Sequence, residues 1–234
     1  TVEYAENFSV EYFANYKLVT VNQTWPGSEP VRYVLVQCGT PAPEDVDADA
    51  VIEVPAKSLV TMATTYLPFV VDLGLLDHLV GHDEFDYVTT PEVRARIDAG
   101  DLVEVGEGVG VSVETVLDLE PSLILTSGSD QTAYNAHPAL IAAGLPVVLT
   151  GDLMEKTPLG RAEWVKFVAL FYNAEEKAEG VFGNIVEDYQ ALASLVAAVE
   201  ERPTVFVDAP FQGTWWLAGG GSYTARLLAD AGAD

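Results

Sequence analysis

Between residues 51 and 149 the sequence alternates short apolar runs rich in β-branched residues with segments whose apolar residues recur at helical spacing. The β runs cover residues 51–54, 58–61, 79–81, 102–105, 123–126 and 147–149, and the helical segments cover 65–76, 90–99, 112–119 and 137–143. At one helix start Pro91 follows Thr90, and Gly100 ends the same segment, which is typical of a capped helix. The alternation predicts an α/β fold with a Rossmann-like parallel sheet covered by helices.

Three further β runs precede this alternation, at residues 8–13, 17–22 and 31–37. Asn15 and the Pro26-Gly27 pair supply turn residues between them. We therefore predict a small antiparallel meander ahead of the parallel-sheet lobe.

A long amphipathic helix is predicted after the sheet. A helix over residues 159–172 is followed by a capping-box pair, Asn173 and Glu176, and by one apolar stripe that runs from Ala178 to Val199. About 26 residues at a rise of ~1.5 Å give a rod of roughly 39 Å, which is long enough to connect two bodies. We therefore predict an N-terminal α/β lobe in residues 1–172, an interlobe helix in 173–201, and the start of a C-terminal α/β lobe in 202–234. In this last part we predict strands at 204–207 and 214–217 and a helix at 222–231, so the second lobe is incomplete in this sequence.

The charge of the chain limits its partners. Asp and Glu number 36 against 11 Lys and Arg, which gives a formal charge of −25, while hydrophobic residues make up 49%. So apolar a chain is no disordered acidic tail, and so negative a surface repels nucleic acid. A single cysteine, Cys38, allows no internal disulfide and no cysteine-based metal cluster. The scarcity of lysine favours a high-salt habitat, with an ordinary acidic protein as the open alternative.

Signatures of catalysis are weak. The glycine run of residues 106–110 follows a predicted strand, but its G-x-G-x-G spacing lacks the glycine of a dinucleotide fingerprint, and Glu104 and Glu107 would repel a pyrophosphate. A turn is the better interpretation. No G-x-S-x-G elbow surrounds Ser127 or Ser129. The triplet His82-Asp83-Glu84 is more typical of a solvated acidic loop than of a metal site, so we predict neither catalytic residues nor a metal centre.

Polar and aromatic residues recur where predicted strands end. In open parallel sheets ligands bind outside the carboxyl ends of the strands, and an aromatic, weakly polar lining suits a bulky ligand. For any single aromatic, such as Tyr66 or Trp216, a place in the core is the alternative. The predicted ligand-binding residues are Thr65, Tyr66, Ser127, Ser129, Tyr134, Arg161, Trp215 and Trp216.

Four segments resemble the substrate-binding proteins of ABC importers for iron–siderophore complexes, haem and cobalamin, the helical-backbone class of binding proteins. They are SVETVLDLEPSLILT at residues 112–126, LIAAGLPVV at 140–148, EKTPLGRAEWVKFVALF at 155–171 and GTWWLAGGGSYTARLLADAG at 213–232. The PLGRAEW stretch is the most specific of these, whereas Ser122 stands where the family usually has Asp.

The resemblance implies two α/β lobes joined by a long helix, with an iron(III)–siderophore complex clamped between them and no intrinsic cofactor. It implies a monomeric, non-enzymatic protein outside the cytoplasm, lipid-anchored in its full-length form, that delivers the chelate to a membrane ABC permease. The chain starts at Thr1 without Met, as expected after removal of a leader, and no apolar run is long enough to span a bilayer. Haem or cobalamin as ligand, an α/β enzyme using the same cleft and a purely structural surface domain are the alternatives.

The resemblance also bears on two further properties, the residues that dock to the permease and the charge of the ligand. The family docks through one acidic residue on each lobe, and the corresponding positions fall near Tyr134 and Gly221, neither of which is acidic. Glu155 and Glu163, or Glu92, are the alternatives for permease docking. So anionic a protein disfavours an anionic chelate unless cations such as Arg161 offset it, which favours a neutral or cationic chelate.

Overall fold

A computed structural model describes residues 1–197, 199–210, 213–215 and 217–233. The first of its two sheets contains β1 (Phe8–Tyr12), β2 (Tyr16–Val21), β3 (Val31–Gln37) and β4 (Ala50–Val54), paired in that order. The first three strands are antiparallel, so the predicted meander is confirmed.

Strand β4 differs from its predicted place in the alternating region, because it joins the first sheet by pairing parallel to β3. Only residues 55–58 separate it from the next strand. Parallel neighbours in one sheet need a crossover of about a dozen residues, so this short link carries the chain from one sheet to the other.

The second sheet is wholly parallel, as predicted. Its strands are β5 (Leu59–Thr61), β6 (Leu79–His82), β7 (Val103–Glu104), β8 (Leu123–Ser127) and β9 (Val147–Thr150), in the order β7-β6-β5-β8-β9. The chain extends the sheet to one side of β5 with β6 and to the other side with β8. That reversal of direction creates a crevice at the carboxyl ends of the strands.

Eight α-helices lie in the described part of the chain: α1 (Leu67–Asp72), α2 (Pro91–Ala99), α3 (Val113–Asp118), α4 (His137–Ala142), α5 (Pro158–Ala162), α6 (Trp164–Leu170), α7 (Glu175–Ala197) and α8 (Tyr223–Asp230). The helix predicted at 65–76 is shorter, since a 3-10 turn over Thr64–Tyr66 precedes α1. The helix predicted at 159–172 is divided at Glu163 into α5 and α6.

The main core lies around α6, all of whose residues are buried. Phe8 from β1 packs edge-on against Trp164 and Phe167, with ring centres 4.9 and 5.5 Å apart. The two sheets are joined by Tyr33 on β3, whose hydroxyl accepts the Leu149 N–H at 2.8 Å and lies 3.2 Å from the Leu149 carbonyl oxygen on β9.

The long helix α7 is present close to its predicted bounds, and α8 packs beside it, where the Tyr189 hydroxyl donates to Asp230 at 2.8 Å. The strand predicted at 204–207 is wrong, because those residues are mostly exposed and pair with no strand. Of the strand predicted at 214–217, Thr214 forms an isolated bridge and Trp216 lies outside the described residues. Within the described residues, no helix combines the length and the hydropathy of a membrane span.

Candidate functional site

A cavity of about 490 Å³ opens at the carboxyl ends of β5, β6 and β8, at the reversal point of the parallel sheet. Its lining combines carboxylates, hydroxyls and small apolar groups: Met62, Asp83, Glu84, Gly106, Glu107, Gly108, Val109, Gly110, Thr126, Ser127, Ala133, Tyr134 and Ala136. Its size is that of a small-molecule site.

The β6 side of the cavity is acidic. The buried ring of His82 ends this strand, with Nδ1 2.8 Å from Thr61 Oγ1 and Nε2 2.9 Å from Asp83 Oδ1, off the direction of a ring N–H bond. These contacts and the 3.1 Å bond from the Asp83 N–H to the Thr61 carbonyl hold Asp83 at the cavity wall. The pKa of Glu84 is raised, first by partial desolvation and then by repulsion from nearby carboxylates, those of Glu107, Asp83, Glu104 and Asp86.

The glycine run of residues 106–110 forms another wall and, as predicted, is a turn. Gly108 has φ +51°, and a Cβ atom there would lie 2.5 Å from the Ala133 carbonyl oxygen. The spacing of the glycines therefore reflects close packing of this turn against the turn at Thr132–Tyr134. The Gly106 N–H donates to the Asp83 carbonyl at 3.0 Å and ties the turn to the end of β6.

Two of the predicted ligand-binding residues line the β8 side of the cavity. Ser127 ends β8 at the cavity wall, and Tyr134, which is 69% exposed, lines the cavity from the following turn. Ser129 lies in the connecting loop, outside the lining. Its N–H donates to Asn135 Oδ1, and its carbonyl accepts from Asn135 Nδ2, both at 2.8 Å, so it shapes the loop that presents Tyr134.

The structure corrects the prediction for Tyr66, whose ring is buried in the core. Its hydroxyl donates to Thr150 Oγ1 at 2.8 Å, and Thr150 in turn donates to the buried Asp152 carboxylate at 2.7 Å. Burial raises the pKa of both Tyr66 and Asp152, so this chain of hydrogen bonds stabilises the strand ends from within. Thr65 is exposed but does not line the cavity.

Arg161 also lies away from the cavity. Its guanidinium carbon is 3.9 Å from the ring centre of Tyr223, and its Nη2 donates to the Leu153 carbonyl at 3.3 Å. It therefore joins α5 to α8 instead of facing a ligand in the cavity. Trp215 is partly exposed beside Phe206, with ring centres 5.0 Å apart, and its contact with a ligand stays a prediction, as does that of Trp216, outside the described residues.

The docking prediction for Glu155 and Glu163 is wrong, because both side chains are buried. Glu163 accepts the backbone N–H groups of residues 3, 4 and 5 at 2.7–3.1 Å and the Lys166 ammonium at 3.1 Å. Glu155 accepts the N–H groups of residues 6 and 7 and the indole N–H of Trp164. The two carboxylates hold the N-terminal segment onto α5 and α6 and have no surface to offer a permease.

From the sequence, the acidic residues of this site are interpreted as parts of a solvated loop and a turn and not as ligand-binding residues. Asp83 and Glu84 follow β6 directly and Glu107 lies three residues after the end of β7, so the strand-end rule that singled out Ser127 could have found them. No group of three or more His, Cys, Asp and Glu residues in the described ranges is arranged to hold a bare metal ion. The cavity is an acidic site of small-molecule size.

Comparisons with known proteins agree with this architecture. The chain is 28% identical over 208 residues to the uncharacterized lipoprotein MJ0872 of Methanocaldococcus jannaschii, a match that covers 85% of this chain and 52% of the relative. The chain thus spans about half the length of that relative.

Solved structures share the fold. A periplasmic binding protein from Veillonella parvula superimposes with a TM-score of 0.66 at 14% identity, over 97% of this chain and 68% of the other. A possible iron-binding (periplasmic solute-binding) protein from Staphylococcus epidermidis gives 0.61 at 15% identity, over 76% and 66%. The family model described as "Periplasmic binding protein" matches residues 59–234, and the chain belongs to that family.

Proposed function

We propose that this chain is part of an extracytoplasmic solute-binding protein that captures an iron(III) chelate of the siderophore type and delivers it to an ABC importer. The observation that carries the proposal is the cavity at the strand ends of a chain from a binding-protein family. Its role is binding, without catalysis. The hydroxyls of Thr126 and Ser127 would orient the chelate, while Tyr134 and Met62 would cover its apolar surface.

A second lobe completes the site in this proposal. The N-terminal lobe comprises residues 1–172, α7 within 173–201 connects the lobes, and 202–234 begin the second one. Leu192 and Leu195 on α7 are 65% and 73% exposed, which supports their being covered by a further part of the protein. The lipoprotein relative supports a lipid anchor at the cell surface, and we propose that the protein is monomeric.

The test is a titration of the full-length gene product with iron(III) chelates, namely ferrioxamine B, ferrichrome and ferric citrate. We expect quenching of tryptophan fluorescence and a higher unfolding midpoint with at least one of them, because a ligand at 100 times its Kd stabilises the native state by about 2.7 kcal/mol. Tyr134→Ala should weaken binding about tenfold, the loss of a well-packed aromatic contact. Tyr87→Ala, which removes an equally exposed tyrosine outside the cavity, should leave it unchanged. Failure of all the iron(III) chelates to bind would refute the proposal, whether or not haem or cobalamin binds.

Haem is the second candidate, because Met62 and Tyr134 both line the cavity and methionine and tyrosine can each ligate haem iron. A Soret band on mixing the protein with haem, lost in Tyr134→Phe or Met62→Leu, would favour it. The carboxylates of Asp83, Glu84 and Glu107 in the lining oppose it, since they would repel the propionates of haem.

A further inference from the structure

The charge of the cavity lining defines a class of chelate. Three carboxylates, those of Asp83, Glu84 and Glu107, line the cavity, and its described lining contains neither lysine nor arginine. Like charges gathered in a cleft with low-dielectric walls focus an attractive potential on ligands of opposite sign.

The carboxylates act on one another. The pKa of Glu84 is raised first by partial desolvation and then by Glu107, Asp83, Glu104 and Asp86. The charged groups that most raise the pKa of Glu84 are thus all anionic. The group therefore retains unneutralised negative charge that a ligand can satisfy.

Two arginines and a histidine of the described chain that could neutralise this charge have other partners or lie outside the lining. Arg94 donates to the Phe85 carbonyl at 2.9 Å and lies 3.4 Å from Asp98, and Arg161 is stacked on Tyr223. His82 lies 2.9 Å from Asp83, but it is buried behind the wall and is absent from the lining.

We propose that the cavity selects an iron(III) chelate of net positive charge whose ammonium group faces Asp83, Glu84 and Glu107. This inference rests on the proposed function and narrows its ligand from chelates in general to cationic ones. Neutral and anionic chelates of the same size fit the cavity less well, because they leave the three carboxylates without a counter-charge.

A matched pair of ligands tests the charge directly. Ferrioxamine B carries a free ammonium and is cationic, whereas its N-acetyl derivative has the same iron coordination and is neutral. With the full-length gene product we expect ferrioxamine B to bind at least about tenfold more tightly, equivalent to about 1.4 kcal/mol. We also expect this preference to shrink as KCl is raised, because salt screens the attraction.

Three variants locate the effect. Glu107→Gln, at an exposed loop position, and Glu84→Gln should each reduce the affinity for ferrioxamine B and so narrow its preference over the acetylated chelate. Glu11→Gln, the same change in charge at an exposed position on β1, should alter neither. Unchanged unfolding midpoints would verify that the variants are folded.

Two outcomes separate this inference from the proposed function. If both chelates bind equally well, or the acetylated one binds more tightly, the charge selection is overturned while the binding function stands. If Glu84→Gln and Glu107→Gln leave the preference intact, its assignment to these carboxylates is overturned in the same way. Failure of all chelates to bind overturns the function itself.

Discussion

The carboxylate of Glu163 holds the N-terminal segment in place by accepting its backbone hydrogen bonds, a role that a neighbouring strand has elsewhere in the fold. Its side chain is fully buried, and its oxygens accept three consecutive backbone N–H groups, those of Glu3, Tyr4 and Ala5, besides contacting Lys166. Charge-assisted bonds of this kind are about twice as strong as neutral ones. Glu163 therefore stabilises the fold, although its sequence context favoured a role in docking to a permease.

Replacing this carboxylate by an amide should destabilise the protein. Glu163→Gln leaves the Lys166 ammonium without its buried partner and replaces the charged acceptor of three backbone N–H groups by one neutral carbonyl oxygen. We expect the free energy of unfolding to fall by about 3 kcal/mol, measured by urea denaturation.

Glu179 provides the matched control, because it contacts the same ammonium at 2.7 Å but is 49% exposed. Glu179→Gln should lower the free energy of unfolding by less than about 1 kcal/mol. Equal effects of the two substitutions would show that the backbone bonds of Glu163 contribute nothing beyond the ion pair.

The buried ring of His137 makes stability depend on pH. The ring stacks on Trp25 with centres 6.0 Å apart, and its Nδ1 has no hydrogen-bond partner among the described residues. Desolvation lowers its pKa below the ordinary 6.5. The unfolded chain therefore binds a proton at a higher pH than the folded one, and the free energy of unfolding decreases as pH falls through 6.5 toward the folded pKa.

His137→Phe keeps an aromatic ring against Trp25 and removes the titration. We expect the loss of stability between about pH 7.5 and about pH 5.5, on either side of the ordinary histidine pKa, to be smaller in the variant than in the wild type. Denaturant titrations at the two pH values measure this. A difference between the two proteins that does not change with pH would contradict the role assigned to His137.

Ser127 and Tyr134 show how far single residues could be placed from the sequence. Ser127 could be predicted because strand order alone brings its backbone to the cavity, and Tyr134 follows it within one short loop. The buried positions of Glu155 and Glu163 could not be predicted, because the backbone N–H groups that bind their carboxylates lie about 150 residues earlier in the chain. Only the folded structure reveals such long-range partners of a charged side chain.

On the scale of elements, α7 combines a long apolar stripe with two exposed interior glycines. Gly183 has helical backbone angles, and a Cβ atom there would meet nothing within 4 Å. Gly183→Ala should raise the free energy of unfolding by about 0.5 to 1 kcal/mol, since alanine loses less backbone entropy in a helix. Thermal denaturation of the purified protein measures the gain.

The same substitution at the end of α2 should have the opposite sign. Gly100 ends that helix with φ +79°, a left-handed conformation that costs an alanine about 1 kcal/mol or more, although nothing obstructs its Cβ. If Gly100→Ala were as stabilising as Gly183→Ala, the backbone explanation of both effects would be wrong.

Elements were predictable where one local pattern determines them. The parallel strands β5, β6, β8 and β9 followed from their β-branched runs, and α7 followed from its apolar stripe. The pairing of β4 with β3 could not be predicted from a local pattern, because it depends on the short connection at residues 55–58 that leads to the other sheet. The strand predicted at 204–207 does not form because those residues have no partner strand. Apolar residues indicate that a segment can form a strand, but the neighbouring strand decides whether it does.

For the whole molecule the dominant quantity is the formal charge of −25. Some cations are paired with single carboxylates, as Lys17 is with Glu175 and Arg226 with Asp230, and the many remaining surface carboxylates repel one another. Repulsion of this kind destabilises the compact state, and salt weakens it by shortening the distance over which charges interact. That distance shrinks from about 10 Å at 0.1 M salt to about 3 Å at 1 M.

We therefore expect the unfolding midpoint to rise steadily as KCl is raised from about 0.1 M to about 1 M, because the repulsion between surface carboxylates is screened over this range. A variant in which exposed glutamates outside the cavity are changed to glutamine, at Glu11, Glu29, Glu114 and Glu187, separates screening from any general effect of salt. Because it carries less repulsion, it should be more stable than the wild type at low salt and gain less from added KCl. An equal gain in both proteins would show that salt acts through the solvent, since exclusion of solutes from the protein surface does not depend on these charges.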